Sequence, residues 1–185
     1  MLAATGFFVL ALYMIPGLLG APLNRLDAYL PPRNVTDISV VSLLSGLDSD
    51  SAVSSESAWF IDDIEGAFAT ASKSDKPVFV DFSGYTCTNC REMEANVFIR
   101  GPIVERFESD FILLRLYTDG LEKGDEFSRY QLDLTGTVAL PTFAIVTPDG
   151  LRLISRASGM MDIEEFGSFL DAGSSSLSNE IISVP

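Results

Sequence analysis

Cys87 and Cys90 are the two thiols of the 185-residue chain, and two residues separate them. That spacing lets the sulfurs meet, so a disulfide can open and close with little backbone movement. The pair stands where a short apolar run, PVFVDFS, gives way to a helical pattern. Cys87 therefore falls at a helix start, where unsatisfied N–H groups and the positive end of the helix dipole stabilise a thiolate. Cys90 lies one turn further in, more buried and suited to resolving a mixed disulfide. A lone C-x-x-C is a modest signal; after a strand in an alternating α/β pattern it points strongly to redox exchange.

The alternatives are fewer. The chain has no histidine, which removes Ser-His-Asp and Cys-His catalysis, His-ligated zinc and haem. A structural zinc site needs further thiol or imidazole ligands, which are lacking, and Arg91 stands where c-type haem attachment requires His. A purely structural disulfide across so short a loop would restrain the unfolded chain little. A non-catalytic binding module, or thiols that hold soft Cu(I) as a chaperone, is the remaining reading from another class. On the redox reading the Cys87–Cys90 disulfide is itself the reactive group, and neither a metal nor a further cofactor is expected.

Two carboxylates fall where proton transfer needs them. By the period of two, Phe79, Asp81 and Ser83 share one face of the strand. Asp81 is predicted beneath the cysteine-bearing helix, in apolar surroundings that raise its pKa, ready to take the proton from Cys90 and return it. Glu94 lies four residues after Cys90 and seven after Cys87, on the same helical face. It would add negative charge near the thiols or share the proton transfer; a structural acid and a solvated carboxylate are the plainer roles for the two. Leu140-Pro141-Thr142 precedes a later strand. A cis peptide there would turn backbone groups near Leu140 toward the cysteines, where a bound polypeptide could pair as an added strand; a trans proline at a strand entrance is the simpler alternative. Tyr85 and Phe98 either border the site or serve as packing.

The elements that must position these residues follow from periodicity. Helical spacing covers 62–72, 88–98, 102–107 and 124–132. Buried strands are expected at 77–83, 111–117 and 142–146, the last joined through Pro148-Asp149-Gly150 to a hairpin partner at 151–154. Asp162 caps a final helix carrying Ile163, Phe166 and Phe169. This order gives an α/β fold: a thioredoxin-like mixed sheet flanked by helices, over residues 58–173. Residues 174–185, rich in Ser, read as a flexible tail.

The N-terminal part differs. No charge occurs before Arg25, and the apolar run that begins at Leu2 has 22 residues, a length of roughly 33 Å as a helix, about one hydrocarbon core. Residues 1–23 are read as a transmembrane helix contacting lipid, and 24–57 as a linker. Arg25 and Arg33, counted naively, would place the C-terminal side of this span in the cytoplasm. Across the whole chain, 12 Lys and Arg against 26 Asp and Glu leave a formal charge of −14, which argues against a nucleic-acid partner.

The string KPVFVDFSGYTCTNCREMEANVF, with VALPTF some way downstream, resembles the C-terminal thioredoxin-like domain of the transmembrane thiol:disulfide interchange proteins, the DsbD family of protein-disulfide reductases. The resemblance runs roughly from Trp59 to Ala172 and is carried by Asp81, Cys87, Cys90, Glu94 and Pro141. PGLLGAPLNRLDAYLPP is similar to that family's last membrane span and its exit into the periplasm, which implies that Arg25 onward is extracytoplasmic, opposite to the arginine count. It further implies a protein-disulfide reductase at the inner membrane. A membrane electron-transfer domain would be the donor and a periplasmic thiol–disulfide protein the acceptor, leading to disulfide isomerases and cytochrome c biogenesis. The family's other modules would then lie upstream in a longer protein or on separate chains. Thr88-Asn89 differs from the Gly-Pro of ordinary thioredoxins, so the resemblance carries no redox potential with it.

Overall fold

The computed structural model describes residues 59–181 together with Thr5 and Phe7. The expected membrane span (1–23) and linker (24–57) otherwise lie outside the described residues. Among the described residues no helix is long and apolar enough to cross a membrane.

Five strands form one mixed sheet in the order β1-β3-β2-β4-β5: β1 (Trp59–Ile61), β2 (Val78–Ser83), β3 (Ile112–Tyr117), β4 (Thr142–Val146) and β5 (Leu153–Ser158). β1, β3 and β2 run parallel, while β4 lies antiparallel to β2 and β5 antiparallel to β4. The helices are α1 (Ile64–Ser74), α2 (Thr88–Met93), α3 (Gly101–Asp110), α4 (Gly124–Thr135) and α5 (Ile163–Ile181), and the chain winds as a π-helix over Glu94–Phe98 directly after α2. The expected α/β architecture is present, with four differences in detail.

β1 is absent from the sequence expectation. Three residues are too few to show a period, and their pairing with Leu113, Leu114 and Arg115 is purely tertiary. The helix expected over 88–98 is instead α2 followed by the π-helical turn. β5 begins at Leu153, not Leu151, because the turn extends further: Asp149 Oδ1 accepts the Leu151 N–H at 3.0 Å, and Gly150 adopts φ +74°. Finally, the last helix continues through Gly173 to Ile181, where the sequence reading began a flexible tail. Gly173 is a contact residue and not a terminator: a Cβ there would lie 2.1 Å from Ile145 Cδ1. The hydroxyls of Ser174 and Ser175 donate back to the Asp171 carbonyl at 3.2 and 2.7 Å, which lets serines sit within a helix.

All six residues of β2 are buried, so alternation sends side chains into both layers. Val78, Val80 and Phe82 pack with Ala67 and Ala71 of α1 and Phe127 of α4. Phe79 enters the opposite layer with Met93, Val97, Phe98, Ile103, Phe107, Phe143 and Phe166. Met93, Val97 and Phe98 bind α2 and its continuation to the sheet. That packing fixes the helix bearing the cysteines above Asp81 and Ser83, the next residues on the Phe79 face.

Candidate active site

Cys87 is the N-cap of α2, in extended conformation, and its Sγ accepts the Cys90 N–H at 3.2 Å. Cys87 and Cys90 are joined by a disulfide, with Cα atoms 5.3 Å apart. Cys87 is half-buried and Cys90 is 1% exposed. One sulfur is therefore within reach of a partner and the other is shielded. The same N–H that bonds Cys87 Sγ remains a donor for a thiolate once the disulfide opens.

The loop before Cys87 is held by a residue that sequence reading passed over. Asp119 Oδ1 accepts the Tyr85 N–H at 2.7 Å, while Oδ2 accepts the Thr86 N–H at 3.0 Å and the Thr86 hydroxyl at 2.9 Å. Burial opposes ionisation of Asp119, but the Thr86 and Tyr85 donors bring its pKa below the ordinary carboxylate value. Gly84 lets the chain pass close by: a Cβ there would lie 3.1 Å from Asp119 Oδ2 and 3.2 Å from Leu140 Cδ1. Tyr85 is exposed and stacks on Tyr117, with ring centroids 4.1 Å apart. The expected site residue Tyr85 thus lies in the loop beside Cys87. Phe98 belongs wholly to the aromatic core.

The Leu140–Pro141 peptide is cis. Pro141 O accepts the Gly159 N–H at 2.8 Å, and the Thr142 hydroxyl donates to Ala139 O at 2.7 Å. Leu140 touches the Gly84 position, which brings the 139–142 segment to the loop that carries Cys87. Pro141 and Thr142 are buried; Leu140 is half-buried.

Beneath α2 the structure corrects one expectation. Asp81 is 1% exposed on the predicted face, but its surroundings are not simply apolar. Arg115 Nε donates to Asp81 Oδ2 at 2.8 Å, from the position paired with it in the neighbouring strand. Arg115 Nη1 also lies 3.6 Å from Glu94 Oε2, and Arg91 Nη1 donates to the same oxygen. The Ser83 hydroxyl donates to Glu94 Oε1 at 3.3 Å. Glu94 therefore does join Asp81, through an arginine. Desolvation raises the Asp81 pKa, Arg115 lowers it and the Glu94 charge raises it again, leaving it at about 6. The guanidinium groups are also roofed by aromatics: Arg115 lies 4.6 Å from the Trp59 ring centroid and Arg91 5.4 Å from that of Tyr117.

Arg91 and Arg115 were missed as site residues. The signal for Arg115 was present in FILLRLY, since a charge inside a buried strand requires a buried partner. Arg91 gave no comparable signal, because an arginine in a helix is ordinarily solvated.

This geometry, a Cys-x-x-Cys disulfide at the start of a helix and a cis-proline segment beside it on a mixed five-stranded sheet, is that of a thioredoxin-like fold. Residues 59–148 match the model of the family described as thioredoxin-like. Among solved structures the domain is similar to a thioredoxin from Thermus thermophilus, with a TM-score of 0.53 and 23% identity over 61% of this chain and 83% of that one. It also has lower likenesses to the reduced DsbD C-terminal domain of Neisseria meningitidis (TM-score 0.49, 22% identity, 62% of this chain and 99% of that one) and to a disulphide isomerase from Xylella fastidiosa Temecula1 (TM-score 0.49, 16% identity, 68% and 93%). No curated protein matches the sequence.

Proposed function

We propose that the protein is a thiol:disulfide oxidoreductase that reduces protein disulfides outside the cytoplasm. The observation that carries the chemistry is the asymmetry of the pair: half-buried Cys87 takes an N–H bond on Sγ, and Cys90 is enclosed. In the reduced protein, the Cys87 thiolate attacks one sulfur of a partner disulfide, forming a mixed disulfide and releasing the first partner thiolate. Cys90 then gives up its proton and attacks Cys87 Sγ. The Cys87–Cys90 bond forms, the bond to the partner breaks, and the second partner sulfur leaves with the electron pair. Asp81, buried on the sheet below and with its pKa raised to about 6, is the acceptor for the Cys90 proton. Backbone groups around Leu140, Pro141 and Thr142, with Tyr85, form the surface on which an extended partner segment lies.

The direction and setting rest on the sequence resemblance. Electrons come from a membrane electron-transfer domain and pass to a periplasmic thiol–disulfide protein, with residues 1–23 in the inner membrane. Catalytic turnover on a protein disulfide such as that of insulin tests the activity. Cys87→Ser is expected to abolish turnover, and Cys90→Ser to accumulate a mixed disulfide. Disulfide reduction that survives Cys87→Ser refutes the oxidoreductase reading. Equilibration with glutathione tests direction: a reductase settles at a more reducing potential than glutathione, whereas a strongly oxidising value identifies a disulfide donor.

A further inference from the structure

In the segment that leads into β4, the backbone N–H and C=O of Leu140 find no hydrogen-bond partner among the described residues. The neighbours of Leu140 are held on both sides. The Ala139 N–H donates to Thr137 Oγ1 at 3.1 Å, and Pro141 O accepts the Gly159 N–H at 2.8 Å. The Ala139 carbonyl is held twice, by Gln131 Nε2 of α4 at 2.8 Å and by the Thr142 hydroxyl at 2.7 Å. Thr142 Oγ1 also lies 2.8 Å from Ser158 Oγ of β5. A hydroxyl has one proton and that of Thr142 goes to Ala139, so Ser158 is the donor in this contact. The carbonyl is thereby fixed from α4 and, through Thr142, from β5.

Gln131 is fully buried, and its Oε1 has no hydrogen-bond partner among the described residues. A buried amide oxygen left without a donor costs more than the single bond from Nε2 returns, so packing alone would favour Leu or Met here. What the amide holds accounts for it. The Ala139–Leu140 peptide is trans, and in a planar trans peptide the C=O and N–H point in opposite directions. Tying the Ala139 oxygen to Gln131 and Thr142 therefore turns the Leu140 N–H away from both, to the side where no described group meets it.

We propose that Gln131 is a positioning residue for partner binding: with the Thr142 hydroxyl it sets the 139–140 peptide plane, so that the Leu140 N–H stands ready for a carbonyl of the partner's extended backbone. This role rests on the thiol-exchange reading above and adds the residue that orients the surface on which the partner lies. The Leu140 side chain touches the Gly84 position, so a segment paired there runs beside the loop that carries Cys87. A donor oriented before the partner arrives removes an ordering cost from binding. It recognises main chain and not side chain, so it favours disulfides held in extended polypeptide over small disulfides, whatever the partner's sequence.

The test compares two disulfides. Gln131→Met keeps the length of the side chain and removes the donor; Gln131→Leu is a second apolar replacement. In insulin reduction with dithiothreitol as electron donor, KM is expected to rise about threefold to tenfold, the scale of one neutral hydrogen bond, with kcat within about twofold. The rate of the reduced variants with Ellman's reagent, a small disulfide without peptide backbone, is expected to change by less than about twofold. Thr142→Val should raise the KM for insulin in the same direction, and Thr142→Ser, which keeps the hydroxyl, should restore it. Equal losses on insulin and on Ellman's reagent overturn the proposal, as does a KM for insulin unchanged in both Gln131 variants. If both variants fail to fold, Gln131 is a residue of the core alone and the proposal falls. A second arm measures the residual dipolar coupling of the Leu140 N–H by NMR in the oxidised, intact protein, where no thiol reacts. A coupling altered in Gln131→Met, with those of the sheet retained, supports the proposal, and a Leu140 coupling equal to that of the wild type refutes it. If the wild type itself does not reduce insulin, the oxidoreductase reading fails, and the NMR arm still decides whether Gln131 orients Leu140.

Discussion

Phe79 and Asp81 stand two residues apart on one face of β2, under the same helical layer, in opposite surroundings. Around Phe79 lie the rings of Trp59, Phe98, Phe107, Phe111, Phe143 and Phe166, with centroids 5.0 to 6.3 Å away. Around Asp81 lie Arg115 and, beyond it, Glu94 and Arg91. Trp59 belongs to both regions, since its ring stacks on Phe98 at 5.9 Å and carries the Arg115 guanidinium at 4.6 Å. The aromatic end is favourable by burial alone and fixes where α2 sits. The charged end must offset the desolvation of each ion with hydrogen bonds and opposite charge, and contributes little net stability. Its value is that a proton can be taken up and released there.

The largest effect expected from breaking this contrast is at the aromatic end. Phe79→Ala removes the ring at the centre of the cluster and should lower stability by about 3–5 kcal/mol in urea unfolding. The pH profile of thiol exchange in the folded fraction should keep its shape. A loss below about 1 kcal/mol would mean that the cluster closes over the gap and does not depend on Phe79.

At the charged end, Arg115→Met strips Asp81 of its partner. Leaving a buried charge unpaired costs about 3–5 kcal/mol, but Asp81 can escape by binding a proton. The destabilisation is therefore expected to be small near pH 5 and to grow towards pH 8. Denaturation of Arg115→Met at several pH values checks this, and adding Asp81→Asn should flatten the dependence. A loss that is constant with pH would place the unpaired charge elsewhere.

How much of this contrast could be read in the sequence differs between its two ends. The period of two in PVFVDFS put Phe79, Asp81 and Ser83 on one face, and the helix holding Cys87 and Cys90 had to cover that face. Those placements depend on local pattern, and the structure agrees with them. The identity of the neighbours is a matter of register between strands. Asp81 faces Arg115 because β2 and β3 pair in parallel with those two residues level. Nothing local fixes that register, so Asp81 was expected among apolar groups. Its pKa is raised as expected, but as the balance of burial, Arg115 and Glu94. The spacing of Glu94 from the cysteines put it on the correct side of its helix, while the arginines that hold it come from packing. Gly173 shows the opposite error: a glycine followed by serines reads as a helix end, and only the contact with Ile145 reveals a helix that passes close to the sheet.

A smaller effect separates Asp81 from the other acids. Its pKa rises from 3.8 in the free side chain to about 6 in the fold, so the folded protein holds the proton more tightly than the unfolded chain. The stability this provides is fully present below about pH 4 and is lost as the pH rises through about 6. Asp119, whose pKa is lowered, acts in the reverse sense and loses its contribution as the pH falls below about 4. Unfolding free energies measured between pH 4 and 7, with and without Asp81→Asn, isolate the Asp81 component as their difference. A difference that is independent of pH would show that Asp81 does not titrate in this window.

The smallest effect is expected at Asp119, which lies outside the contrast and supports it from the surface. Its carboxylate takes three donors from Tyr85 and Thr86, the two residues between Gly84 and the reactive Cys87. Asp119→Asn keeps the shape but replaces one acceptor oxygen with an NH₂ donor that faces occupied donors. Hydrogen bonds at so exposed a place carry about 1 kcal/mol each or less, so stability should fall by about 1 kcal/mol. The larger consequence is positional. The loop that sets the entry to α2 would loosen, and with it the placement of Cys87 Sγ against the Cys90 N–H. The initial attack of Cys87 on a disulfide should slow by about twofold to fivefold, the scale set by the loss of one positioning hydrogen bond. The later resolution step should keep its pH limb, because Asp81 is untouched. Stopped-flow measurement of the two steps separates these outcomes. A slowed resolution step with an intact first attack would show that Asp119 acts on the buried charges and not on the loop.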